Sequence, residues 1–219
     1  MDLTPLLLSF QIALVATAIA GALGVGLGLL LSRPFRGRDW LDVLITAPMV
    51  LPPTVLGYYV LVALGRNSAI GIAFESLTGS PIVFTRTGAV IAATIGALPL
   101  TTKSARAALE GVDRRLVLAA RTLGAGPLRA FVTVHLPLAS RGIVAGTMLG
   151  FARSLGDFGV TLMVAGDIPG ETQTAALAIY DAIQAQREGD ARFMVVFLTL
   201  LAAVMLYVVA KLTGRAHGT

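Results

Sequence analysis

Apolar residues run from Leu3 to Ser32 without a single charge. That run exceeds the ~20 residues a helix needs to cross ~30 Å of hydrocarbon, so it predicts a first, tilted span over 3–32. Its second half is crowded with Gly21, Gly24, Gly26 and Gly28, and Gly24-x-x-x-Gly28 is a spacing that lets membrane helices approach closely. After a basic turn with Arg33, Arg36 and Arg38, a second apolar stretch predicts a span over 41–65. The interval to Arg86 is polar and Gly-rich, with a short helix expected around Ile70 to Leu77. A third span is expected over 86–103. Its uncharged core, Thr87 to Thr102, is short, so neighbouring helices must bury it, and Pro99 should bend it. Helical periodicity then continues from Ala105 to Leu123, inside a basic interval over 104–137. A fourth span follows over 138–166, a polar stretch with an interfacial helix over 175–185, and a last span over 193–211. The pattern predicts one all-α polytopic membrane domain over 1–219 with about five transmembrane helices.

Composition agrees. Hydrophobic residues make up 56% of the 219 positions and charged residues 13%, against about 25% charged in soluble domains. There is no cysteine, which excludes disulfides and zinc–thiolate sites. The net charge of +5 does not point to nucleic acid, because the basic residues sit beside apolar runs. Segments 32–40, 103–136 and 211–219 hold eleven of the 17 Lys and Arg, which predicts that they are cytoplasmic and that the N-terminus is outside. Asp2 and the absence of a basic leader argue that the first run is retained as a helix, although Ala16-Thr17-Ala18 has the look of a cleavage site.

Little in the chain reads as an enzyme. His135 lies at a membrane boundary and His217 in the tail, so a hydrogen-bonded interfacial histidine is the better reading of His135 than a metal ligand. No Ser-His-Asp set and no phosphate-binding Gly-Lys-Ser loop is present, so any ATP-driven work would have to use a partner's nucleotide. Two features inside the spans stand out. Pro48, Pro52 and Pro53 cannot share an undisturbed helix, and they mark either a kinked helix packed on its neighbours or a broken helix beside a solute route. Arg153 and Asp157 are four residues apart within the fourth span, on one helical face. They are either a structural pair or a cation that moves between the acid and a solute.

The interval from Leu118 to Pro137 carries the most specific signal. Ala119-Ala120-Arg121-Thr122-Leu123-Gly124 is followed by Ala125-Gly126-Pro127 and, with nine residues between it and the glycine, by Val134-His135-Leu136-Pro137. Gly124 to Pro127 should break the helix and let a short one lie along the membrane, with Arg121, Thr122 and Leu123 presented to a partner. The pattern resembles the cytoplasmic "EAA" coupling loop of ABC-importer permeases, with Leu118 where that family usually has Glu. The stretches 48–59, 109–113, 151–159 and 168–172 are similar to the molybdate permeases, and the second and fourth of them also to their sulfate and tungstate relatives.

That resemblance implies a permease subunit of an ATP-driven importer, working as a homodimer. It further implies two copies of an ABC ATPase, a periplasmic or extracellular oxyanion-binding protein, surrounding lipid, and no cofactor. For a dianion, a route should offer hydroxyls and a positive charge, which selects Thr54, Thr101 and Ser154, and Arg153 with its partner Asp157; Pro52 and Pro53 join them as the candidate helix break beside the route. Sulfate or tungstate transport is the nearest alternative. A self-contained secondary transporter would need an internal repeat, and none is clear.

Overall fold

The structure, a computed structural model, describes residues 2–214, and every regular element among them is helical. The tail from Arg215, with His217, lies outside the described residues. Helix α1 spans Thr4–Leu31, with Pro5 in its first turn where a missing N–H costs nothing. Helices α2 (Arg38–Val50) and α3 (Pro53–Leu64) follow, then a short α4 (Ala69–Thr78) whose N-cap Ser68 accepts from Gly71 N at 2.9 Å. Helix α5 (Arg86–Glu110) begins at a Thr85 cap and runs unbroken through Pro99. Two short helices, α6 (Arg114–Thr122) and α7 (Pro127–Ala130), lead through a π turn at Phe131–His135 into α8 (Leu136–Leu155). Helices α9 (Gly159–Ala165), α10 (Ala175–Gln184) and α11 (Glu188–Gly214) complete the chain.

Helix α5 is the centre of the fold, held between α1 and α8. Small residues make that closeness possible. A Cβ on Gly24 of α1 would collide with Thr101, and one on Gly150 of α8 would lie 2.7 Å from the Thr101 methyl. Thr101 is therefore clasped from both sides, and its hydroxyl donates to Ala20 O of α1 at 2.8 Å. Gly142 and Gly146 of α8 meet Ala108 and Ser104 in the same way, and Gly28 meets Ala105 and the α5 backbone. In lipid, where helices gain little from leaving their surroundings, such contact and interhelical hydrogen bonding drive association. The Gly24–Gly28 spacing thus serves a crossing within the chain.

A second apolar cluster joins Leu56 and Val60 of α3 to Val160 and Val164 of α9, with Val83 and Ala92. Helix α10 is tied to α1 by a bond from Ala175 N to Ser9 Oγ at 2.7 Å. Helix α11 presents Phe197, Leu200, Val204 and Tyr207 outward, as a lipid-facing helix does.

Several boundaries differ from the hydrophobic pattern. The helix expected over 105–123 is two helices, because Gly111 ends α5 and the Asp113 carboxylate caps α6 through Arg115 N at 2.8 Å. The helix that carries the fourth expected span starts earlier than 138: it extends from Pro127 to Leu155, with the π turn at the point where Pro137 cannot donate its N–H. It also ends earlier, at Leu155, and α9 is a separate helix after Gly156. By length and composition, α1, the Pro127–Leu155 stretch and α11 qualify as spans, with the bent α2–α3 pair as a fourth. Helix α5 does not qualify. Its apolar core is short, and it is sheltered by α1 and α8 instead.

Candidate functional site: a coupling segment and two facing elbows

The segment between α5 and α8 is built to be exposed. No residue of α6 is buried, and Leu116, Leu118, Leu123 and Leu128 point outward, Leu123 with 89% of its surface free. These exposed leucines lie on the same segment as Arg114, Arg115, Arg121 and Arg129, so its surface is both apolar and basic. Helix α6 stops at Gly124, whose φ of +90° only glycine adopts without strain. Gly124 N bonds Arg121 O at 3.1 Å and Ala125 N bonds Ala120 O at 3.0 Å. These are the two hydrogen bonds of a Schellman ending. They give the Ala-Ala-x-x-x-Gly spacing a physical meaning, because the glycine is the left-handed residue that closes the helix beginning before the alanines.

The second half of the motif works as an anchor. His135 Nε2 lies 3.1 Å from Leu109 O, a carbonyl of the last turn of α5 that also accepts from Val112 N at 3.4 Å. A carbonyl only accepts, so the imidazole carries its proton on Nε2 in this bond. His135 is thus hydrogen-bonded to the end of α5. Both flanks of the segment fasten to the end of α5: α6 through the short Gly111–Asp113 connection, and α8 through His135.

The proline-rich stretch is a true break. Helices α2 and α3 meet at 116°, with Leu51 and Pro52 extended between them and Pro53 opening α3. A residue before proline is pushed out of the helical region, and here Leu51 and Pro52 both precede one. The α8–α9 elbow packs directly against this one. A Cβ on Gly159 would lie 2.6 Å from Pro53 Cβ, and one on Gly57 would lie 2.8 Å from Met163 Cβ. Two broken helices therefore meet at their breaks.

The Arg153–Asp157 pair holds the second elbow. Arg153 Nη1 donates to Asp157 Oδ1 at 2.9 Å, while Asp157 Oδ2 accepts from Thr161 N at 3.0 Å and Thr161 Oγ1 at 2.6 Å. Arg153 lies in the last turn of α8 and Asp157 just before the first turn of α9, so each charge complements the helix end beside it. The pair rests against Gly96 of α5, where there is no side chain to displace it. Asp157 is buried, but 35% of the Arg153 side chain is free, so its charge is partly available.

The remaining sequence-selected residues separate into two groups. Pro52, Pro53 and Thr54 are exposed at the first elbow. Thr101 and Ser154 are buried, Thr101 between α1 and α8, and Ser154 with its hydroxyl 3.4 Å from Ala93 O. The apolar pattern does not single out Thr161, although its position four after Asp157 is the spacing of a helix-start partner. Nor does it reveal a charge cluster joining α2 to α5. Lys103 Nζ meets Asp42 Oδ1 at 2.6 Å, Arg106 Nη1 meets Asp42 Oδ2 at 3.2 Å, and Arg106 Nε meets Glu110 Oε1 at 2.8 Å. The Arg106–Glu110 spacing is a local signal, but Asp42 is far away in sequence.

Residues 4–215 match the profile of the family described as the binding-protein-dependent transport system inner membrane component. The chain belongs to that family. It is 42% identical over 203 residues to the molybdenum transport system permease protein ModB of Escherichia coli K12, covering 91% of this chain and 89% of that one. The Haemophilus influenzae protein of the same name is 39% identical over 98% of this chain and 95% of its own length. The Azotobacter vinelandii protein is 34% identical over 94% and 92%. Among solved structures, an inward-facing form of the MetNI methionine ABC transporter has a similar fold. Its TM-score is 0.70 at 17% identity, covering 98% of this chain and 95% of that chain. The fold is that of an ABC-importer permease.

Proposed function

We propose that this chain is the permease subunit of an ATP-driven importer that moves molybdate across the cytoplasmic membrane. It works as a homodimer, carries two copies of an ATPase subunit on its cytoplasmic face, and receives its anion from a periplasmic or extracellular oxyanion-binding protein. The observation that carries the reading is the outward-turned α6 with its Schellman ending at Gly124, in a family member whose relatives are named for molybdenum transport. A permanently exposed leucine beside arginines has a use if a partner's cleft covers it.

The chain crosses the membrane five times in this reading, with α1, the α2–α3 pair, α5, α8 with α9, and α11 as the crossings. The N-terminus is outside and the coupling segment inside, as the distribution of Lys and Arg favours. ATP-driven closure of the ATPases moves residues 119–127, and the end of α5 moves with them. The solute route runs along the two facing elbows. Broken helices suit it because their free backbone groups contact an anion without a fixed, tightly binding pocket. Thr54, Pro52 and Pro53 line it, and Arg153 supplies a partly screened positive charge, balanced by Asp157. Thr101 and Ser154 hold the helices that carry the route, since their hydroxyls are already engaged. The binding protein does the selecting, so the permease wall needs only to tolerate a tetrahedral dianion and let it go.

The test is co-purification and uptake. The tagged chain should bring down an ABC ATPase, and vesicles holding both, given the oxyanion-binding protein, should take up labelled molybdate only with ATP inside. Uptake by the chain alone, driven by an ion gradient, would make it a secondary transporter and end the proposal.

A further inference from the structure

We infer that Asp42 is the positioning residue that makes the coupling segment and the proline elbow move as one body. This rests on the reading of α6 as the ATPase contact. The end of α5 receives the coupling segment from both sides, through the Gly111–Asp113 connection and through His135 on Leu109 O. One to two turns earlier, that same end carries Lys103 and Arg106, which both grip Asp42 of α2, at 2.6 and 3.2 Å. Arg106 in turn holds Glu110 at 2.8 Å, and Arg38, the first residue of α2, lies 3.6 Å from the same Glu110 oxygen. Asp42 is therefore the acid that touches two cations of α5, while Arg38 and Glu110 close the cluster at its outer edge.

The direction of force follows from the chain. Helix α2 is the lever arm of the first elbow. It ends at Val50, and beyond Leu51 and Pro52 the chain turns through 116° into α3. Pro53, at that turn, is seated on Gly159 of α9. A displacement of α6 shifts the end of α5, and the cluster passes it to α2 and so to both elbows. Apolar packing between α2 and α5 is sparse, with Ile45 the only buried residue of α2. Two long cation side chains converging on one carboxylate are the principal directional contact between these helices. The cluster is also partly screened, with a quarter of the Asp42 side chain exposed, so its role as a stability element is modest and its role as a connector is what its position serves.

The test uses the assembled importer and reads molybdate taken up per ATP hydrolysed. Asp42→Asn should still bind the ATPase and hydrolyse ATP, while uptake per ATP falls about fivefold or more, the lower end of ordinary coupling between sites. Asp42→Glu should restore the ratio. Since the chain has no cysteine, Asp42→Cys with Lys103→Cys can be joined by a short thiol cross-linker. The joined form, which lacks both charges, should transport at the unaltered ratio, and the unjoined form should not. An unaltered ratio in Asp42→Asn would overturn the inference, as would a joined form that hydrolyses ATP without transporting, since α2 and α5 would then have to separate. Should Asp42→Asn fail to assemble, the joined and unjoined forms decide alone. Failure of the unmodified chain to bind any ATPase would instead sink the underlying reading of α6.

Discussion

Asp157 serves more partners than any other charged side chain near the two elbows. It satisfies Arg153, the Thr161 amide and the Thr161 hydroxyl while almost fully buried. Breaking a buried ion pair by removing one partner is costly, though the partial exposure of Arg153 softens it. Asp157→Ala should thus destabilise the protein by about 2–3 kcal/mol, and Asp157→Asn by less because it can still accept from Thr161. Thermal unfolding of the purified chain checks the order. Adding Arg153→Ala to Asp157→Ala should recover part of the stability, since no cation is left unpaired although Thr161 still lacks its acceptor. If it also recovers transport, Arg153 has no place on the route. The i,i+4 relation of the two charges is legible in the sequence. The three-way use of the carboxylate is not, because it depends on a helix break at Gly156 that the apolar pattern runs straight across. Thr101 teaches the same lesson. A hydroxyl in an apolar span looks available to a solute until the glycines that clasp it, Gly24 and Gly150, are brought in from other helices.

At the level of elements, the stretch from α6 to α7 is the most readable part of the chain, because its signals are local. Gly124 and Pro127 punctuate it within four positions, and each does in the structure what its chemistry favours. The glycine makes a left-handed helix ending, and the proline opens the first turn of the next helix. Gly124→Asp separates the fold from the function here. No atom lies within 4 Å of the place its Cβ would take, so the cost to the free protein is only that of a left-handed non-glycine residue, about 1 kcal/mol. The melting point should change little, the dimer should persist, and ATP-driven uptake should fall about tenfold or more as charge and bulk enter the docked turn. Normal uptake with a bound ATPase would place the contact elsewhere. The break between α5 and α6 is harder to see, as Ala105 to Leu123 keeps a helical period on both sides of Gly111. The Asp113 cap decides it, and capping leaves only a weak mark in a sequence.

For the whole molecule, hydrophobic runs predict the long apolar helices but not where those helices break. Helix α5 has the poorest apolar run of the long helices and the most sheltered position, since neighbours, not lipid, bury it. The α2–α3 stretch is apolar enough to cross yet bends sharply in the middle. Topology can be read with single cysteines, because the native chain has none to remove. Cysteines at Arg36 and Arg121 should react with an impermeant thiol reagent only from the cytoplasmic side, and those at Ala73 and Gln184 only from outside. Labelling of Gln184 from the cytoplasm would contradict the five-crossing arrangement.

Everything proposed for the assembled machine turns most directly on which anion it carries. In vesicles holding the chain, its ATPase and the oxyanion-binding protein, ATP-dependent uptake of labelled molybdate is the quantity to measure, against excess unlabelled tungstate and excess unlabelled sulfate. Uptake should require all three proteins, be suppressed by tungstate, which matches molybdate in shape and charge, and be little affected by sulfate. Uptake of labelled sulfate that excess molybdate leaves unchanged would contradict a molybdate importer.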